Sequence, residues 1–398
     1  MPALAAQKLH PHAHPQAFAG RYQCQKRLSV HNGIETWKGV DRDLDAPVVI
    51  KFESDEQPHP GASDRLKKEA ESLSECNTTE LVKIIDSGTD DGTRFVVVEF
   101  VSGPSLRQHL DTQGPMDPVA ALTVFRCVFS ALANMHKNDF VHGDVKPENI
   151  IIISEADGLH GKLIDCGFAS RPNEDDHLIL IGGVQYAAPE RLGLIGIDYD
   201  FRSDLYAAGA SLYECLTGTP PFTGRNRSEI IDRMLNCPLS PARELRPTLP
   251  GSFDAVLSRL LQRDPTNRYH SAGAVLHDLG RIEKNITLGM PDAPLFAGAS
   301  DRRKTITTPT FVGREEELKK AASAFQAAGQ GSPAVLLVEA ISGGGKTYYL
   351  DEAAVRARSR GAFVFRGGAL GDVAPTPFGA LESAVQQVVD AAETDPRF

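Results

Sequence analysis

At 398 residues the chain is too long for one ordinary core and reads as two or three domains. It is 41% hydrophobic and 24% charged, as globular proteins are, and its formal net charge of -10 gives it no basic signature for nucleic acid. Six cysteines (Cys24, Cys76, Cys127, Cys166, Cys215 and Cys237) stand far apart with no CxxC pair, so they read as the reduced thiols of a cytoplasmic protein, not a disulfide framework.

Residues 1–20 lack the charged start and long apolar run of a signal peptide and read as a disordered tail. His10, His12 and His14 could hold a metal, but no cysteine or carboxylate stands near them, which favours the tail. No stretch reads as a membrane span, so no membrane partner is expected. Residues 21–101 are strand-like: Val48-Val49-Ile50 and Phe95-Val96-Val97-Val98 are short runs rich in β-branched residues. Between them the pattern predicts a helix over Ser63–Ser74, capped by Ser63, with Leu66, Ala70 and Leu73 on one face. Residues 102–284 are mainly helical, with helices expected over Pro118–His136 and Asp204–Thr217. Residues 285–309 are rich in Gly, Pro, Ser and Thr and read as a linker, and a fresh α/β pattern occupies 310–398.

The stretch Val141–Ile150 reads VHGDVKPENI. Phosphoryl transfer to a hydroxyl needs a carboxylate to orient that hydroxyl, a cation at the moving phosphate, and Mg²⁺ on oxygen ligands. Asp144, Lys146 and Asn149 match these needs in type and order. Asp165, after the apolar Leu163-Ile164, would be the second metal ligand. Lys51 ends the run VVIK and could reach the α and β phosphates of ATP, with Glu69 pairing to it from the helix. Taken singly, each residue has an ordinary reading: a strand-end lysine, a solvated helix glutamate, a turn aspartate. Their joint order is what argues for chemistry.

Together they resemble the eukaryotic-like, bacterial-type Ser/Thr protein kinases, and the resemblance covers about residues 21–284. VVIK matches the VAIK motif, HGDVKPEN the HRDxKxxN catalytic loop, Asp165-Cys166-Gly167 the DFG motif and Ala188-Pro189-Glu190 the APE motif. Asp204 in SDLYAAG and Arg268 in RDPTNRY fall on two further family positions, the latter pairing with the APE glutamate. The resemblance implies an α+β bilobal fold, a β-rich N-lobe at 21–101 followed by a helical C-lobe at 102–284. It also implies Mg-ATP as cofactor and transfer to protein Ser/Thr hydroxyls, autophosphorylation included. Val49, Val98 and Ile151 would line the nucleotide pocket, and Glu99 and Val101 would offer backbone groups to adenine. Lys146 favours the Ser/Thr branch over tyrosine kinases.

Three departures stand out. The glycine-rich loop falls on Ser29, His31, Ile34 and Thr36, with Gly33 out of register, although bulkier residues there hinder close approach to phosphates. Cys166 replaces the DFG phenylalanine and reads as a buried small hydrophobe. Gly143 replaces the HRD arginine, the residue that in the family meets a phosphate on the activation segment. Between Asp165 and Glu190 the segment holds one serine (Ser170), one tyrosine (Tyr186) and no threonine, with Gly183 at the usual threonine position. Reader and acceptors of the phosphate are missing together, which predicts a non-RD kinase that does not switch by activation-segment phosphorylation.

A second phosphate loop follows. Val335–Val338 reads as a buried strand, then Ala340-Ile341-Ser342-Gly343-Gly344-Gly345-Lys346-Thr347 leads into a helical pattern. Gly343 and Gly345 would cradle phosphates, Lys346 would meet them and Thr347 would meet Mg²⁺. With Phe311–Leu318 (FVGREEEL), the region resembles the entry of AAA/STAND-type P-loop ATPases. No apolar strand ending in paired acids follows, so the chain reads as the front portion of a longer protein. An active kinase with an ATPase-type regulatory module is the leading expectation. The alternatives are a catalytically weak pseudokinase acting as a nucleotide-binding scaffold, and a P-loop output regulated by the kinase. Nothing in the sequence assigns an oligomeric state.

Overall fold

The computed structural model describes residues 17–156, 158–172, 183–194, 199–301, 315–329, 331–332, 335–338 and 349–350, with single positions 353, 357 and 388. It forms two compact units, 1–303 and 304–398.

The first unit begins with β1 (Ala17–Phe18), β2 (Tyr22–His31), β3 (Ile34–Asp41) and β4 (Ala46–Glu53). Next come α1 (Ala62–Glu75), β5 (Ile84–Asp90) and β6 (Thr93–Glu99). The strands form one antiparallel sheet in the order β1-β2-β3-β4-β6-β5. Side chains alternate along a strand, and β4 is apolar on both faces. Val48, Ile50 and Phe52 join Phe18, Tyr22, Phe95 and Val97 in one cluster, while Val49 packs with Val96 and Val98 in the main core on the other face. Lys51 shares the face of Val49, which aims this lysine at the cleft side of the sheet.

The rest of the unit is helical around one hairpin. It comprises α2 (Leu106–Gln113), α3 (Pro118–Lys137), the hairpin β7 (Ile150–Glu155) and β8 (Gly158–Leu163), α4 (Phe201–Thr217), α5 (Arg227–Asn236), α6 (Ala242–Leu245), α7 (Gly251–Leu260) and α8 (Ala272–Thr287). Every residue from Ser203 to Leu216 of α4 is buried, so this helix is the spine of the helical part. Asp117 caps α3 by accepting from the amides of Val119 and Ala120, and Pro118 starts it.

Several expectations need correction. The tail is shorter than residues 1–20: Ala17–Phe18 pairs with Tyr22–Gln23, and Phe18 is buried with its ring 4.6 Å from that of Phe52. Ser63 does not cap α1. Gly61, at φ 83, is its N-cap, while the Ser63 hydroxyl accepts from Arg94 Nε at 3.1 Å. The α3 helix is long and apolar enough by length and composition to cross a membrane. Its apolar residues, Phe125 and Phe129 among them, instead fill the core.

The expected linker at 285–309 is in part a strap on the helical lobe. Asp292 accepts from the Gly251 amide at 3.1 Å, Gly298 donates to Asp278, and the Ala297 carbonyl accepts from Arg259. The carboxylate of Asp301, fully buried, takes bonds from Arg259 and from the His270 amide. Pro and Gly composition signals irregular backbone, but it does not say whether that backbone is tied down.

In the second unit, α9 (Glu315–Gly329) packs Leu318 and Ala321 against Tyr349, whose hydroxyl donates to the Glu317 carbonyl at 2.9 Å. The expected buried strand at Val335–Val338 is not formed: Val335 is 99% and Leu337 80% exposed, with no strand partner among the described residues. A strand is buried only where neighbours pair and cover it, which an apolar run cannot specify alone. Gly343, Gly345, Lys346 and Thr347 lie outside the described residues.

Candidate active site

The cleft is built from both parts of the first unit. Lys51 on β4 donates to Glu69 Oε1 of α1 at 2.6 Å and to Asp165 Oδ1 at 2.8 Å. Lys51 and Glu69 are both buried, so neither charge is stable there without its partner. Burial opposes the lysine's charge, yet the carboxylates of Asp165 and Glu69 outweigh it and raise its pKa. Asp165 is likewise opposed by burial, but Lys51 draws it down to about 2, so it stays ionised. Its backbone is left-handed at φ 68, a conformation disfavoured for a residue with a side chain and found where function demands it.

Below it, Lys146 Nζ donates to Asp144 Oδ2 at 2.6 Å, and Asn149 Nδ2 donates to the same oxygen at 2.9 Å and to the Asp144 carbonyl at 2.8 Å. Burial lifts the Asp144 carboxyl to about 6, with Lys146 and Asn149 limiting the rise. The loop is held from beneath by Asp204 of α4, which accepts from the amides of His142 at 2.8 Å and Gly143 at 2.9 Å, and from His136 Nε2 at 2.9 Å. His142 Nδ1 accepts from the Asp144 amide at 3.2 Å, and burial lowers the pKa of this histidine.

Above, sheet register sets the nucleotide side. Ser29 pairs with Thr36, Thr36 with Lys51, and Lys51 with Val96, so these four share one row across the sheet. Val49 and Val98 pair two positions along, in the next row on the same face. His31 pairs with Ile34, and the β2–β3 turn is Asn32-Gly33, both at positive φ. A Cβ on Gly33 would lie 2.6 Å from the Cβ of His59; the Gly33 carbonyl accepts from the Ser54 amide at 2.8 Å, and Arg65 of α1 donates to the Asn32 carbonyl. The turn is therefore a tight hairpin tip tied to α1 and its approach, not an open glycine loop. Glu99 is committed to fixing its strand: its amide donates to the Lys83 carbonyl and its carboxylate accepts from Lys162 at 2.6 Å. Val101 is half-buried against the core, and Ile151, also half-buried, bridges to Ser105.

Cys166 is fully buried in the core that also holds Leu73, and burial pushes its thiol pKa well up. That is an inert, structural cysteine. Ser170 is 2% exposed, its backbone bridges to Val141, and its hydroxyl lies 3.2 Å from that of Tyr199. Tyr186 is 4% exposed and donates to Glu214 at 2.5 Å. Gly183 has no room for a side chain, since its Cβ would meet the Tyr186 ring at 2.7 Å.

This assembly of lysine, glutamate and two aspartates agrees with the comparisons. The protein kinase domain family matches residues 34–279. The chain belongs to the protein kinase family, in its serine/threonine branch. It is 33% identical over 306 residues to the serine/threonine-protein kinase PknL of Mycobacterium tuberculosis, covering 75% of this chain and 74% of PknL. To PrkC of Bacillus subtilis it is 30% identical over 317 residues, and to PknB of M. tuberculosis 30% over 304; the match spans only 47% of each of these relatives.

One network was not anticipated. Arg107 of α2 donates to Glu214 of α4 at 2.9 Å, to the Tyr186 hydroxyl at 2.5 Å and to Glu148 of the catalytic loop at 3.2 Å. It ties the end of the activation segment to two helices and the loop. Only the three-dimensional fold brings these residues together, and no local pattern announces them.

Proposed function

We propose that this kinase transfers the γ-phosphate of ATP, with Mg²⁺, to serine or threonine hydroxyls of protein substrates, itself included, and that it is of the non-RD type. The carrying observation is the paired chain Glu69–Lys51–Asp165 facing Asp144 with its two partners. An ionised carboxylate at Asp165 and the amide oxygen of Asn149 are hard oxygen ligands, which suits Mg²⁺ sharing its other positions with water and phosphate. Bound there, the ion neutralises charge on the transferring phosphate. Lys51 holds the α and β phosphates, and Glu69 keeps its ammonium in place. Asp144 accepts or orients the substrate hydroxyl, and Lys146 lies beside it to stabilise the γ-phosphate.

The non-RD reading rests on Gly143 and on the burial of Ser170 and Tyr186, the only hydroxyl side chains between Asp165 and Glu190. A cytoplasmic kinase with a P-loop ATPase-type module at 310–398 completes the reading; the module rests on sequence, that of Phe311–Leu318 and Ala340–Thr347.

The test is label transfer from ATP to a serine- and threonine-containing protein. Asp144→Asn is expected to lose about 10²–10⁴ of the rate, the range of a positioned general base. Equal incorporation by wild type and Asp144→Asn would refute the assignment and favour the scaffold.

A further inference from the structure

Behind the catalytic loop is a cavity of about 40 Å³, several times the roughly 10–15 Å³ that one water needs. Gly143, Asp144 and Lys146 line one side, and Gly183, Tyr186 and Arg191 the other. Gly143 is left-handed at φ 80, and a Cβ there would lie 2.7 Å from the Phe168 carbonyl oxygen and 3.2 Å from both terminal nitrogens of Arg191. The guanidinium therefore presses on the space that a side chain at 143 would need. Its plane is fixed by Tyr199, whose ring centre is 4.7 Å from the guanidinium carbon.

Arg191 has no ion pair and no side-chain hydrogen bond among the described residues, and its Nη1 is buried without a partner. The carboxylates nearby do not serve it. Asp204 already receives three donors, and Asp144 is paired with Lys146 and Asn149. A rigid, planar cation with open donors beside a cavity is suited to a carboxylate or a phosphate, which accept two parallel N–H bonds.

We propose that Arg191 makes this cavity an anion-binding site, taking a carboxylate or phosphate, and so supplies from the turn after Pro189 the positive charge that Gly143 withholds from the catalytic loop. The anion comes either from the chain itself, whose sequence places Glu174, Asp175 and Asp176 in the activation segment, or from a bound substrate. The site does not depend on the phosphotransfer reading, and binding tests it directly.

The experiment titrates inorganic phosphate into the full chain by calorimetry, with ADP and Mg²⁺ in excess to occupy other phosphate contacts. Wild type, Arg191→Met and Arg191→Lys are compared with a triple variant, Glu174→Gln with Asp175→Asn and Asp176→Asn. Saturable binding is expected in wild type or in the triple variant, weakened at least tenfold by Arg191→Met and less by Arg191→Lys. Tighter binding in the triple variant identifies the chain's own carboxylates as the resident anion; equal binding assigns the anion to the substrate. Circular dichroism checks that each variant is folded. Phosphate binding that is unchanged by Arg191→Met, or absent from both wild type and the triple variant, overturns the proposal.

Discussion

Two arginines meet at the short turn Pro189–Leu192, Arg191 within it and Arg268 against it, and their surroundings are opposites. Arg268 is fully buried and fully engaged: it grips both oxygens of Glu190 at 2.5 and 2.8 Å, bonds the carbonyls of Gln262, Arg263 and Arg202, and stacks on Tyr206 at 4.8 Å. The guanidinium of Arg191, one residue after Glu190, stacks on Tyr199 but makes no hydrogen bond or ion pair among the described residues, and it borders a cavity. The difference teaches how to tell a structural charge from one kept for a ligand. A buried ion is tolerable only when every donor is met, so an arginine left open beside a cavity marks a place where an outside partner can enter.

The sharpest way to break this contrast is Arg268→Met. It strands the buried Glu190 carboxylate and should cost about 3–5 kcal/mol, as the loss of one partner of a buried pair does. A denaturant midpoint close to wild type would mean that Arg268 is no more structural than Arg191. Next is Tyr186→Phe, which removes a donor from the buried Glu214 and should lower stability by about 2 kcal/mol, the scale of a hydrogen bond to a charged group.

The third test is the pH dependence of kcat/KM. Asp144 must be ionised to accept a proton, and its carboxyl sits at about 6, so the rate should fall about tenfold per unit as pH drops below that value. Asp165, at about 2, remains charged throughout and adds nothing to this limb. A profile that stays flat down to pH 5 would remove Asp144 from the proton's path. The smallest effect is expected from Arg191→Met, whose unfolding free energy should stay within about 1 kcal/mol of wild type, since the side chain loses only its stacking on Tyr199 and no hydrogen bond or ion pair.

What the sequence made legible was local. Lys51, Asp144, Lys146, Asn149 and Asp165 sit in short motifs whose spacing carries their chemistry, and the structure brings them to one cleft. The helices at Pro118–Lys137 and Phe201–Thr217 were readable because apolar residues recur at helical period. Contacts across long separations were not readable. Arg107 meets Glu214 at a distance of 107 residues along the chain, and Arg191 comes against Gly143 from far along the sequence. Phe18 and Asp301 were missed for the same reason: each belongs to a stretch of loop-like composition that is held by partners far away in sequence. Val335–Val338 failed in the other direction, an apolar run with no described strand to pair with.

Asp301 lies 22 residues beyond the last position matched by the family, residue 279, yet its carboxylate is buried against Arg259 and His270. The strap therefore works as a mechanical anchor. Tension applied to the chain from its C-terminal side would first load the Asp301 clamp, then the ties at Gly298, Ala297 and Asp292, and only after these released would it reach the end of α8 at Thr287.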